Sequence, residues 1–178
     1  MKPFLIAAFL ALASLSSGCS YLTFGDGPYQ GRVVDQKTRK PIEGAAVLAI
    51  WWRESASITQ PKQSVHDAQE ALTDKEGNFS IAGPSKLLLS PQVRIKEPVF
   101  IIFKLGYEAI GERKLLPLEK DKGMVVQLRE LPTREERLKN LRRISVDNCA
   151  REKKCPNLMK LKDLEATYLG LEPTDLTK

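Results

Sequence analysis

Short apolar runs separated by polar turns fill the sequence between residues 29 and 131. Residues 45–52 are apolar throughout, which is typical of a strand that is buried on both faces, and residues 99–103 predict a second central strand. Residues 41–44 and 74–77 contain the Pro or Gly that tight turns require. About seven strands at these spacings, without alternating helices, predict a mainly β, two-sheet sandwich.

Two segments of this region predict long connections. Residues 53–70 are polar, lack strand periodicity and contain His66, the single His of the chain. A lone His in a polar loop is usually solvated, so we assign it no role. Residues 83–98 form the second connection. Long loops of this kind are often functional.

The pattern changes after residue 131. Residues 133–136 have the sequence of a capping box, with a hydroxyl at the N-cap and a carboxylate at N3, and apolar residues follow at helical spacing. A second helix is predicted after Pro156, and Gly170 is expected to end it. Residues 132–178 therefore predict a helical hairpin that extends the sandwich.

Three motifs of the central region occur in the order of a known family. They are GRVVDQKTRKPIEGAAV at residues 31–47, TDKEGNFSI at residues 73–81 and KLGY at residues 104–107. Together they resemble the carboxypeptidase regulatory-like domain over residues 29–131. The resemblance implies a transthyretin-like (prealbumin-like) Greek-key β-sandwich, and it implies a fold rather than a function.

The N-terminal residues indicate export. A positive start precedes an apolar run at residues 4–15, which is too short for a membrane-spanning helix of about 20 residues but suits a signal peptide. Residues 15–19 resemble a bacterial lipoprotein processing site, which implies removal of residues 1–18 and lipidation of Cys19. Cleavage at a small-residue site within residues 11–13, followed by simple secretion, is the alternative.

The predicted anchor sets the location of the protein. Residues 19–28 read as a tether between an acylated Cys19 and the first strand. Ser20 follows the Cys in place of Asp, and by the sorting rule of bacterial lipoproteins this favours the outer membrane. We therefore predict a lipid-anchored protein on the outer membrane, facing the periplasm.

Cysteine usage agrees with export. The chain has three Cys, so lipidation of Cys19 leaves Cys149 and Cys155 free to pair in an oxidising compartment. A disulfide over so short a loop would stabilise the fold by roughly 2 kcal/mol. Two unpaired thiols are the alternative.

Adjacent tryptophans end the long apolar run. Neighbouring residues on a strand point to opposite faces, so one of Trp51 and Trp52 is predicted to lie in the core and the other to be exposed. An exposed Trp would either stack on a sugar or cover a loop.

Positive charge is concentrated in the C-terminal extension. The chain has a formal net charge of +6, and residues 133–163 contain ten basic and five acidic residues. Such a hairpin would meet anionic lipid or an acidic protein, or it would be a solvated helix face on the sandwich. The candidate interface residues are Arg142, Arg143, Lys153 and Lys154.

Catalysis is not predicted. The sequence contains no nucleophile elbow, P-loop or zinc-protease motif. Transthyretin-like hydrolases use several His, and the peptidases that carry the related domain use a separate catalytic domain. We expect no cofactor, no metal and no nucleic-acid partner. The predicted function is a structural or adaptor lipoprotein of the cell envelope, with a glycan- or peptide-binding module as the alternative.

Overall fold

A computed structural model of the protein describes residues 23–25, 27–55, 62–87, 93–111, 123–144 and 154–171. Its strands are β1 (Thr23–Gly25), β2 (Tyr29–Asp35), β3 (Ala46–Ser55), β4 (Lys62–Leu72), β5 (Asn78–Ile81), β6 (Ser85–Leu87), β7 (Val93–Ile95), β8 (Val99–Phe103) and β9 (Met124–Leu128). Its helices are α1 (Arg134–Arg143) and α2 (Pro156–Tyr168).

Seven of these strands form two sheets. In the three-stranded sheet, β2 is antiparallel to β5 and parallel to β9. In the four-stranded sheet, β3 pairs with β4 on one side and with β7 and β8 on the other, all antiparallel. The remaining two strands, β1 and β6, form a separate antiparallel ribbon. The predicted mainly β sandwich with a C-terminal pair of helices is confirmed.

The central strand β3 is covered on both faces. Odd-numbered residues from 45 to 51 belong to the core between the two sheets, and even-numbered residues from 46 to 50 belong to a second core beneath the helices. All of them are at most 1% exposed. A strand without a solvated face needs no polar positions, which explains the uninterrupted apolar run. The molecule therefore has three layers, with the helices on the four-stranded sheet.

The prediction of a long loop over residues 53–70 is wrong. β3 continues to Ser55 and pairs with β4, so most of this segment is a β-hairpin. The pairing register of β3 and β4 shifts between Trp51 and Trp52, which marks a β-bulge. His66 is the extra residue of β4 at this bulge. β4 has no strand on its outer side among the described residues, and an edge strand tolerates a polar sequence that hides its periodicity.

Strands also occur where connections were predicted. Thr23–Gly25, within the predicted tether, pairs with Ser85–Leu87 of the second predicted connection. The same connection contains β7, which pairs with the end of β3. Strands of only three residues leave little periodicity in the sequence, which is why the pattern did not reveal β1 and β7.

The family-like motifs form the turns at one end of the sandwich. The Thr73 hydroxyl donates to the carbonyl of Ile42 at 2.7 Å and accepts from the amide of Ala45 at 2.8 Å. Gly77 has a φ of +79°, and a Cβ at this position would lie 2.4 Å from the Val33 carbonyl oxygen. Asp74 accepts from the amide of Asn78 at 2.7 Å, which is a turn contact. These motif residues thus hold backbone in place.

Replacing Thr73 by Val should destabilise the protein. The exchange keeps the shape of the side chain but leaves two buried backbone groups without their partner, which costs about 1–3 kcal/mol. Urea denaturation would measure the free energy of unfolding. As a control, Ser80→Ala on the exposed side of β5 should change it by less than about 0.5 kcal/mol. Equal stability of Thr73→Val and wild type would contradict the bridging role.

Candidate functional site

The first helix begins where the sequence predicts. Thr133 Oγ1 accepts from the amide of Glu136 at 3.2 Å, and the Glu136 carboxylate accepts from the amide of Thr133 at 3.4 Å, so the capping box is confirmed. Arg129 donates to the same carboxylate at 3.1 Å. Hydrogen bonds from Arg129 and Thr133 lower the pKa of Glu136, which keeps the cap ionised.

An amide side chain fixes α1 to the end of the sheet. Asn140 Oδ1 accepts from the amide of Ala109 at 2.9 Å, and Asn140 Nδ2 donates to the carbonyl of Tyr107 at 3.0 Å. Both backbone groups follow β8. Because Asn140 is 7% exposed, the loss of either bond would leave a buried polar group unpaired. The adjacent Leu141 packs into the core beneath the helices.

The second helix is capped from the sheet. Its N-cap residue makes no side-chain hydrogen bond, and Pro occupies its first turn. Glu70 of β4 supplies the missing acceptor, with one carboxylate oxygen 2.6 Å from the amide nitrogen of Asn157 and the other 3.1 Å from that of Leu158. A carboxylate here satisfies unpaired amides and complements the positive end of the helix dipole. Glu70 therefore sets where α2 begins on β4.

Paired charges join the two helices. Arg137 of α1 donates two hydrogen bonds to the carboxylate of Glu165 of α2, at 2.7 and 2.5 Å. The Glu165 side chain is 1% exposed, so this partner is required to offset its desolvation. The hydrogen bonds that Arg137 donates to Glu165 raise the pKa of Arg137. At the end of α1, Lys162 donates to the carbonyl of Ile144 at 2.9 Å. The inward-facing charges are thus paired within the helical layer.

We call the solvent side of the two helices the outer face. The name covers Lys139, Arg142 and Arg143 on α1 and Lys160, Leu164 and Tyr168 on α2, and the same helices also expose Arg134, Glu135 and Asp163. Leu164 is 48% exposed and Tyr168 is 71% exposed, while one face of the Tyr168 ring lies 4.1 Å from the Arg137 guanidinium. Within the described ranges, no salt bridge joins any of the four cations to a carboxylate. The solvent side of the helices therefore exposes two apolar side chains and four cations without a salt bridge in the described ranges, together with the carboxylates of Glu135 and Asp163.

The predicted binding residues occupy different environments. Arg142 and Arg143 are exposed on the outer face. Lys154 instead forms a salt bridge with Asp67 of β4, at 3.3 Å. Lys153 lies outside the described residues, so nothing follows for it.

The cysteines are described only in part. Cys155 is buried at the N-cap of α2 and is disulfide-bonded. Cys19 and Cys149 lie outside the described residues. Lipidation of Cys19 and pairing of Cys149 with Cys155 therefore stay predictions.

The two tryptophans lie on opposite faces of β3. Trp51 is 0% exposed in the core between the sheets, with its ring 6.2 Å from that of Tyr29. Trp52 is half-buried and packs against the core beneath the helices, so the prediction of an exposed second ring is wrong. The cause is the helical layer, which covers this face of β3.

A surface groove, which sequence reasoning missed, lies on the three-stranded sheet. It has a volume of about 290 Å³ and is lined by Gln30, Gly31, Arg32, Asn78, Phe79, Gly123, Met124 and Val125. Val125 is 55% exposed. An apolar residue at a solvent-facing position of a strand was the signal that could have revealed the groove.

The described part of the chain contains neither a metal-binding cluster nor a membrane-spanning helix. It contains no group of three or more side chains that could hold a metal ion. None of its helices has the length and apolar character needed to cross a membrane.

No protein-family model and no curated protein match the sequence. Among solved structures, a streptococcal ancillary pilin is similar to 61% of this chain, with 16% sequence identity and a TM-score of 0.28. The matched part covers 30% of the pilin chain. A likeness this remote carries no conclusion about function. The class of the protein is defined by its own architecture, a β-sandwich with a helical layer on one sheet.

Replacing Glu70 by Gln should loosen the start of α2. The amide retains one acceptor, loses the charge and turns a donor towards the helix amides, so we expect a loss of about 0.5–2 kcal/mol. Denaturant unfolding would measure the loss, and hydrogen exchange should accelerate at the amides of Asn157 and Leu158. The matched control is Glu76→Gln in the exposed β4–β5 turn, which should change neither. Unchanged exchange in Glu70→Gln would contradict the capping role.

Proposed function

We propose that the protein is a non-catalytic lipoprotein that is anchored through an acylated Cys19 and holds a protein partner in the bacterial cell envelope. The proposed location is the outer membrane, on its periplasmic side. The observation that carries the adaptor role is the outer face of the helical pair. The anchor is inferred from the sequence that precedes Cys19.

The outer face has the composition of a binding surface. Aromatic residues and Arg are enriched in protein interfaces, where apolar side chains form the centre and charged groups form the rim. Leu164 and Tyr168 would form the centre, with the four cations around them. The positive charge favours a partner with an acidic surface, because complementary charges speed association and select the partner.

The helices present this face as part of a rigid body. α1 is fixed by Asn140 and α2 by Glu70, and the Arg137–Glu165 pair joins them. A surface whose geometry is fixed before binding avoids the entropic cost of ordering itself on its partner. This supports an adaptor that holds a partner in one orientation.

We also infer that residues 29–131 are a carboxypeptidase regulatory-like domain of the transthyretin-like type. Three motifs support this inference, and Thr73 and Gly77 within them hold turns of the sandwich. A fold by itself does not define a function, so the binding role would be supplied by what is added to the domain. The added part is the helical pair.

Photocrosslinking in cells tests the adaptor role. A photoreactive residue in place of Arg143 or Lys160, on different helices of the outer face, should yield adducts with the same recurrent protein. The control position is Lys75, which is exposed in the β4–β5 turn. Mass spectrometry would identify the adducts. The absence of a shared adduct, or its equal formation from Lys75, would contradict the proposal.

A glycan- or peptide-binding module is the second candidate, and the groove on the three-stranded sheet favours it. Val125 offers an apolar contact there, and Gln30, Arg32 and Asn78 offer hydrogen-bonding groups. Trp51 is buried and cannot serve as a stacking platform.

Muropeptides, which contain both glycan and peptide, are suitable probes of this groove. Muropeptides should shift the NMR signals of groove residues in the wild type and in the control variant Leu72→Asp. Leu72 is exposed but lies outside the groove. The shifts should be lost in Val125→Asp. Signals that stay unchanged in the wild type would exclude muropeptide binding.

A further inference from the structure

The ribbon of β1 and β6 restricts where a lipid anchor can lie. Three residues separate Cys19 from Thr23, the first residue of β1. An extended chain spans at most about 3.6 Å per residue, so the Cα atom of Cys19 lies within about 14 Å of that of Thr23. Thr23 pairs with Leu87 and Gly25 pairs with Ser85, so this part of the chain belongs to a strand rather than to a free tether.

The ribbon starts from a defined end of the sandwich. β2 begins at Tyr29, which pairs with Ile81 at the end of β5. Just before this pair, the backbones of Gly27 and Ala82 are in close contact, because a Cβ on Gly27 would lie 2.4 Å from the Ala82 carbonyl oxygen. Among the described strands, β1 pairs only with β6. The ribbon is therefore an extension from the Tyr29 end of the three-stranded sheet.

The four-stranded sheet contributes its own residues to this end. The Tyr29 ring lies 6.2 Å from that of Trp51 and 5.5 Å from that of Phe100. Two residues after Trp51, Arg53 begins the segment of β3 that pairs with β7. Lys62 lies opposite Ser55 on the other side of β3. We define the ribbon end as the ribbon, the last three residues of β3, the start of β4, and residues 93–97, which are β7 and the two residues after it.

Among the described side chains of the ribbon end, cations outnumber carboxylates. Its exposed cations are Arg53, Lys62, Arg94 and Lys96, and its carboxylates are Glu54 and Glu97. Lys96 is 3.2 Å from Glu54, and its hydrogen bond lowers the pKa of that carboxyl. Among the described side chains this leaves three cations against one carboxylate, with Arg53 and Lys62 on one face of the four-stranded sheet and Arg94 on the other. A surface with this excess is attracted to anionic lipid head groups.

We propose that the ribbon end is held against the bilayer, with Arg53, Lys62 and Arg94 facing anionic lipid head groups. The proposal rests on the proposed lipidation of Cys19. The short chain between Cys19 and the ribbon keeps this end near the membrane, and its positive charge favours anionic lipid. The domain then has one orientation on the membrane instead of moving freely on a flexible linker.

Photocrosslinking to lipid tests the orientation. The lipidated full-length protein is reconstituted in vesicles that contain phosphatidylglycerol, with a photoreactive residue in place of Arg94. The matched variant carries it in place of Lys37, in the turn after β2, because β2 separates its two ends by about 20 Å. Mass spectrometry should find several-fold more lipid adduct from position 94 than from position 37. Equal yields, or more adduct from position 37, would overturn the orientation.

Flotation of the same vesicles separates this result from the anchor itself. The lipidated protein should float with the vesicles, and Cys19→Ala should stay in the soluble fraction. If Cys19→Ala floats equally, or neither protein floats, the proposed anchor is wrong and the orientation falls with it. If only the lipidated protein floats and the adduct pattern is reversed, the anchor stands and the orientation alone is wrong.

Discussion

Burial of β3 on both faces is the constraint on which the other layers depend. One face of its apolar run needs the three-stranded sheet, and the other face needs the helices. A sandwich without the helical pair would expose Leu48 and Ile50, with Phe103 on the neighbouring strand, to water. The C-terminal extension is therefore a structural part of the fold as well as the carrier of a surface.

Local chemistry accounts for the elements that the sequence predicted. The run at residues 45–52 showed a buried strand, the Thr133–Glu136 spacing showed the start of α1, and Gly170, with a φ of +70°, follows the end of α2. The prediction failed for residues 53–70, because an edge strand with a bulge has neither clean alternation nor high hydrophobicity. The exposure of Trp52 was misjudged for another reason, since the helices that cover it lie far along the chain.

Within the candidate site, the sequence could predict the environment only of residues whose position does not depend on a contact with another element. Arg142 and Arg143 follow from helix periodicity, which places them away from the apolar side of α1. The environment of Lys154 does not follow from helix periodicity, because its salt-bridge partner Asp67 lies in β4. The contacts that orient the helices are equally non-local, as Glu70 reaches Asn157 across a separation of 87 residues. No sequence pattern of one element encodes such a contact.

The pairing of β2 also determines how the domain would bear tension. In an anchored adaptor, the membrane would pull on the chain at Tyr29 and a bound partner would pull on the helices. The first force acts on the three-stranded sheet and the second on the helical layer. The load would therefore pass through the core between the sheets and the core beneath the helices. β2 lies between β5 and β9, with ladders on both of its sides. A force along β2 would load these hydrogen bonds together in shear, whereas a force at a hairpin end would open them one after another.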